Sequence, residues 1–189
     1  MKKALAGVLA VALVGVLAGS AMAQVPNIQV YFDQGHSVTQ RDCGQPGNID
    51  SVYVVMNNWN MNVTGVDFSI QYPSAMIWIA DNLPDPSTQT KIGQSPTGVA
   101  IAYANCCFLN GFLANDVLHP LFVWGPCDCS TGPKSIVVGG YTPTGKPKPT
   151  AIRKEDFQEV EGVGLTSLIC PGAIATEPST WGQVKALYR

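Results

Sequence analysis

The sequence predicts an all-β fold, an antiparallel β-sandwich of jelly-roll or immunoglobulin-like type with about seven to nine strands and a short C-terminal helical tail. Three observations predict it. Gly and Pro together make up 33 of 189 residues, above the roughly 12% of average usage, which favours many turns over long helices. Short β-branched and aromatic runs recur between these turn signals, as strands of a sandwich or barrel do. Finally, Val66, Phe68, Ile70 and Tyr72 alternate with Asp67, Ser69 and Gln71, a period of two that gives a strand one covered and one wet face.

The elements follow in chain order. Residues 28–32 read as a first strand closed by the turn Asp33-Gln34-Gly35, and Cys43-Gly44-Gln45-Pro46-Gly47-Asn48 reads as a loop. Residues 49–56 carry apolar side chains on both parities, so that strand is expected to be covered on both faces. Asn57 to Asn62 form a polar connection to the alternating strand, Pro73 ends that strand, and residues 76–79 resume as a buried one. The stretch 81–98, with Pro84, Pro86, Pro96, Gly93 and Gly98, reads as a long loop or weak edge. Residues 99–103, 121–124, 135–141 and 164–170 are further strands, and 154–160 is a strand or one turn of helix. Thr142 to Thr150, with three prolines and two lysines, is expected to stay on the surface. The last residues look like a capped short helix. Ser179 or Thr180 serves as N-cap, and Trp181, Val184, Leu187 and Tyr188 are spaced along one face up to Arg189. That segment either docks on the sandwich or serves as a sorting tail.

The compartment is read from the N-terminus. Lys2 and Lys3 precede an apolar run from Ala4 to Gly19 and the Ala21-Met22-Ala23 site, the three parts of a secretory signal peptide cleaved near Ala23. The apolar run is short for a membrane span. Ser20 stands where a lipoprotein would need the lipidated Cys. The expected division is therefore a signal peptide over 1–23, a sandwich over 24–172 and a tail over 173–189. The product would be secreted or held in the periplasm or cell envelope, with no membrane span in the mature chain. Eleven basic against thirteen acidic residues, with no basic run, argue against nucleic acid as a partner.

All six cysteines, Cys43, Cys106, Cys107, Cys127, Cys129 and Cys170, follow the signal peptide. An even count in an oxidising compartment reads as a disulfide framework, with fifteen formal connectivities. Cys106 with Cys107, and Cys127 with Cys129, are too close along the chain for unstrained bonds. At least one bridge from the 106/107 pair to the 127/129 pair is therefore expected. The alternative is a metal or redox protein built on the Cys-Cys and Cys-Asp-Cys pairs with His119 between them. Zinc ligands, however, usually come as C-x2-4-C, which neither pair offers. Disulfides are the preferred reading, with no metal and no cofactor.

The stretch GNIDSVYVVMNNWNMNVTGVDFSIQYPSAMIWI resembles the opening of cohesin-type modules: a Gly-led loop, a Val-rich strand, an Asn-rich connection, then a Gly-Val-x-Phe-x-Ile-x-Tyr strand. KIGQSPTGVAIAYA and LHPLFVW resemble that family's later core strands. Related carbohydrate-binding sandwiches carry a similar pattern. The resemblance implies a non-catalytic role in adhesion or assembly, with a protein partner at the cell surface. The chain departs from the family in its Cys-Cys and Cys-x-Cys pairs.

Chemistry is sparse. His36 and His119 are the only imidazoles, and no nucleophile, zinc or phosphate-loop motif accompanies them. Asp67 with Asp50 or Asp81 would be the carboxylates of a glycosidase. Asp81, Asp85, Asn82 and Asn60 lack an EF-hand spacing for calcium, and Asn62-Val63-Thr64 matches a glycosylation sequon. No catalytic residues are assigned. A polysaccharide partner is the alternative to a protein one, with sugar rings stacking on Trp59, Tyr53 and Trp78.

Overall fold

The computed structural model describes residues 25–109 and 115–172, with side chains at all of these except 105–109 and 115. Strands run in the order β1 (Asn27–Tyr31), β2 (Gln40–Arg41), β3 (Ile49–Ser51), β4 (Tyr53–Asn57), β5 (Met61–Gln71), β6 (Met76–Asn82) and β7 (Gln89–Gln94). They continue with β8 (Gly98–Leu109), β9 (Asn115–Trp124), β10 (Lys134–Gly139), β11 (Thr150–Arg153), β12 (Glu159–Glu161), β13 (Val163–Gly164) and β14 (Thr166–Ile169). The signal peptide and the tail with Trp181, Leu187, Tyr188 and Arg189 lie outside the described residues.

The strands form two sheets. The first has the order β13-β1-β4-β9-β3, with β6 on the other side of β9. The second has the order β12-β11-β5-β10-β14-β2, with β8 on β5 and β7 on β8. The expected sandwich is there, with more strands than the alternation suggested, some of them only two or three residues long and others, such as β5, β8 and β9, longer than expected. One expected strand is split into β3 and β4 at Val52, whose N–H donates across to the Pro120 carbonyl of β9 at 3.1 Å while Pro120 has no N–H to return. The stretch 81–98, expected as a long loop or weak edge, contains the edge strand β7, which pairs with β8 from Gln89↔Tyr103 to Gln94↔Gly98. Polar residues conceal this strand because both of its faces are largely wet. Two pairings, β1 with β13 and β14 with β2, are parallel.

Alternation places the core. Ile28, Val30, Val54, Met56, Leu118 and Phe122 point inward from the first sheet, and Phe68, Ile70, Val99, Ile101, Ile136 and Val138 from the second. The sandwich closes where the chain switches sheets between β13 and β14. The Leu165 N–H donates to the Ile28 carbonyl at 2.9 Å, and buried Ser167 donates from Oγ to the Val30 carbonyl at 2.6 Å. The segment 142–150 is exposed over most of its length, but Pro149 and Thr150 are buried as it enters β11. The 154–160 stretch is a turn leading into β12, not helix.

The disulfides correct the sequence reading. Cys43 is bonded to Cys127 and Cys129 to Cys170, so neither member of the 127/129 pair bridges to Cys106 or Cys107, whose side chains lie outside the described residues. The reason is topological. Parallel pairing of β2 with β14 sets Arg41 beside Ile169, and the Cys170 N–H donates to the Arg41 carbonyl at 2.9 Å. Both strand ends meet the β9–β10 loop at one end of the sandwich, a proximity that sequence separation does not reveal.

Exposed carboxylates brace the turns. The Val38 N–H holds Asp33 below its ordinary carboxylate range, with burial opposing and Ser37 reinforcing the effect. Hydroxyls of Ser87 and then Thr88 do the same for Asp85, and Ser130 does so for Asp128. A carboxyl whose pKa is lower in the folded than in the unfolded chain stabilises above the unfolded value, and that contribution is lost as pH falls through the folded one. The melting temperature is therefore expected to decline below pH ~4, and Asp33→Asn should flatten that acid limb in a series of thermal melts.

Candidate functional site

Strand register assembles a site on the outer face of the second sheet. Thr90, Ala102, Gly65 and Ile152 occupy one cross-strand row, and Ile92, Ala100, Asp67 and Thr150 the next. Directly paired residues share a face. At the centre of both rows stand Ala, Gly or a short Asp, so the floor is low. Ile92 on one bank is 70% exposed, and Phe157 above the other is 71% exposed. The result is an apolar groove of about 360 Å³.

Phe157 carries an energetic signature. Its φ is +56°, a left-handed backbone that bulky side chains rarely adopt and that costs about 1–2 kcal/mol. Its N–H donates to the Arg153 carbonyl at 2.9 Å, closing the turn after β11. A strained turn thus holds a large aromatic ring out in solvent. One end of the groove is charged. Lys146 Nζ lies 2.8 Å from both Asp67 Oδ2 and Glu159 Oε1. Burial opposes its charged form, but the two carboxylates prevail and raise its pKa.

The residues singled out from sequence fall elsewhere. Trp59 is 4% exposed and belongs to the core. Asn58 and Asn60 on either side have φ of 62° and 44°, and this paired left-handed turn directs the indole inward. Its Nε1 donates to the Asn27 carbonyl at 3.0 Å, and a Cβ on Gly162 would lie 2.6 Å from its ring. No open face remains for a sugar. Tyr53 packs edge-on against His119 with centroids 4.8 Å apart. Trp78 pairs in register with buried Phe122 and donates from Nε1 to Asp81 Oδ1 at 3.0 Å. The three aromatics therefore form no common platform.

The acid and imidazole candidates are also placed. Asp81 is buried and accepts from the Ser95 N–H and hydroxyl, each at 2.7 Å. Asp50 pairs with Arg41 at 2.8 Å. Asp67 lies in the second sheet, whereas Asp50 and Asp81 belong to the first, so the carboxylate pair imagined from sequence is not assembled. Asp85 caps its own turn through Ser87 and Thr88. His36 is a turn residue, as expected. The fold also brings both imidazoles to one carboxylate, with His36 Nε2 2.7 Å from Asp116 Oδ1 and His119 Nε2 3.4 Å from Asp116 Oδ2.

The first sheet bears a smaller apolar stripe. Ile49, Val123 and Ile77 share one cross-strand row, with Ile49 69% and Ile77 53% exposed. Among the described residues no helix is long and apolar enough to cross a membrane.

No family model matches the chain, and no curated protein does. Solved structures do. The chain is similar to a type II cohesin domain from the cellulosome of Acetivibrio cellulolyticus, at 13% identity over 78% of this chain and 96% of that one, with a TM-score of 0.52. It is similar to a cohesin module from the family 33 glycoside hydrolase of Clostridium perfringens, at 10% identity over 77% and 95%, with a TM-score of 0.51. The third ScaB cohesin of R. flavefaciens, solved in complex with a group 1 dockerin, matches at 10% identity over 78% and 96%, with a TM-score of 0.50. At these identities the likeness speaks to architecture, and the architecture of this chain is a cohesin-like β-sandwich.

Proposed function

We propose that this chain is a non-catalytic binding module, exported to the cell envelope or beyond, that recognises a protein partner through the groove on β7, β8, β5 and β11. The observation that carries the reading is the pairing of a low Ala/Gly floor with two large exposed apolar side chains, Ile92 and Phe157. Monomeric domains rarely leave such a surface uncovered without use. A groove of this shape suits an apolar edge of a helix or loop, with Ile92 and Phe157 as anchors and the Asp67–Lys146–Glu159 cluster as a polar rim. The cohesin-like fold and the resemblance of residues 47–79 to cohesin openings support a protein partner over a glycan.

The test uses the full exported chain as bait on the native envelope fraction, with Ile92→Asp/Phe157→Asp beside it and Ile77→Asp as the control face. A species retained by wild type and by Ile77→Asp, and weakened at least about tenfold by the double change, is expected from loss of two hot-spot anchors. Equal retention by the double variant, or loss with Ile77→Asp instead, refutes the groove as the binding surface.

A further inference from the structure

Two independent disulfides need not touch, yet these two do. Cys43 Sγ lies 3.0 Å from Cys170 Sγ and 3.5 Å from Cys129 Sγ, and Cys127 Sγ lies 3.9 Å from Cys170 Sγ. All four sulfurs fall within 4.8 Å of one another. They come from three separate places: the loop after β2, the β9–β10 loop and the residue just after β14. In the second of these, a turn defeats the spacing that argued against a metal in the sequence. Asp128 accepts from the Ser130 N–H at 2.8 Å, and the following short 3-10 turn at Cys129–Thr131 lets both Cys127 and Cys129 face the cluster.

We propose that, once reduced, Cys43, Cys127, Cys129 and Cys170 form a tetrathiolate site for a soft divalent cation, Zn²⁺ above all. Zinc bound by four thiolates at about 2.3 Å sets its sulfurs at the corners of a tetrahedron with edges of about 3.8 Å. Two of the inter-bridge distances, 3.5 and 3.9 Å, already lie near that edge and a third, 3.0 Å, is shorter than it, so the four ligands are gathered before any metal arrives. Each disulfide takes two electrons and two protons from a dithiol, which leaves as its own disulfide. The cation then displaces the thiol protons to solvent as the sulfurs bind it. Thiolate softness selects zinc over calcium or magnesium. The site is independent of the groove, since it occupies the end of the sandwich where β2, β14 and the β9–β10 loop meet.

The test starts from the full chain reduced with a phosphine, which converts each disulfide and one water to two thiols and a phosphine oxide. Titration with Co²⁺ under argon should give one tetrahedral, thiolate-bound ion per chain by visible absorption, displaced by one Zn²⁺. Zinc should also shield Cys43, Cys127, Cys129 and Cys170, located by mass spectrometry, from alkylation. The affinity should fall at least tenfold in Cys43→Ser and in Cys170→Ser and stay unchanged in Cys106→Ser/Cys107→Ser. If the reduced chain loses its strand circular dichroism, its recovery on adding zinc supports the site and failure to recover overturns it. Absence of the thiolate spectrum, or shielding confined to Cys106 and Cys107, also overturns it.

Discussion

Replacing both members of either bridge by serine is expected to lower the melting temperature by about 8–18 °C under oxidising conditions, at 2–4 °C per kcal/mol for a chain of this size. The bonds Cys43–Cys127 and Cys129–Cys170 close 84 and 41 residues, for which loop entropy gives about 4.6 and 3.9 kcal/mol. Paired replacement matters. A single Cys→Ser change would leave a free thiol beside the other bridge, for example Cys43 at 3.0 Å from Cys170, and thiol–disulfide exchange would scramble the reading. Scanning calorimetry of Cys43→Ser/Cys127→Ser and of Cys129→Ser/Cys170→Ser checks this. A drop under about 3 °C in both would mean that sheet packing alone holds the end of the sandwich. The two losses should not add fully in the fourfold variant, because the bridges share one cluster of sulfurs.

How much of this was legible in the sequence depended on whether a signal was local. The Val66 to Tyr72 alternation exposes its strand because apolar and polar side chains take turns along it, although Ser69 on the face expected to be wet is buried, and Asp33 announces its turn because its side chain bonds to Ser37 and Val38 within five residues. Strand β7 showed only as a long loop or weak edge for the opposite reason: with Thr90 and Ile92 on the open face and polar neighbours on both sides, no contrast marks it. Trp59 misled because an Asn-rich setting reads as surface, whereas two left-handed asparagines can equally serve to turn a bulky ring into the core. The groove has no local signature at all. Ala100, Ala102, Gly65 and Ile92 are unremarkable singly, and only pairing of β5 with β8, and of β8 with β7, makes them a floor and a bank. The disulfide pairing is of the same kind, set by a parallel pairing between strands 128 positions apart (Arg41 beside Ile169).

That dependence on register singles out the place where the two sheets are joined, and Gly164→Ala there should be among the most damaging small substitutions in the chain. A Cβ at Gly164 would lie 1.8 Å from the Val138 carbonyl oxygen and 2.6 Å from its carbon. Both are backbone atoms of β10, and no rotamer change relieves them. Val138 is itself paired with Ile70 of β5, and Gly164 with Ile28 of β1, so relief requires one sheet to move against the other. Overpacking of a closed interior costs about 1–3 kcal/mol and more where backbone must shift, and this site belongs at or above the upper end. Gly139→Ala is the matched control, since its Cβ would meet only the Ser69 hydroxyl at 3.2 Å. A side chain can rotate away, and the lower entropy of the unfolded chain returns about 0.4–1 kcal/mol. Urea unfolding should therefore separate the two by at least about 2 kcal/mol, with Gly139→Ala near wild type. Equal stability would mean that β13 does not lie against β10 as described, and the closure of the sandwich would have to be sought elsewhere.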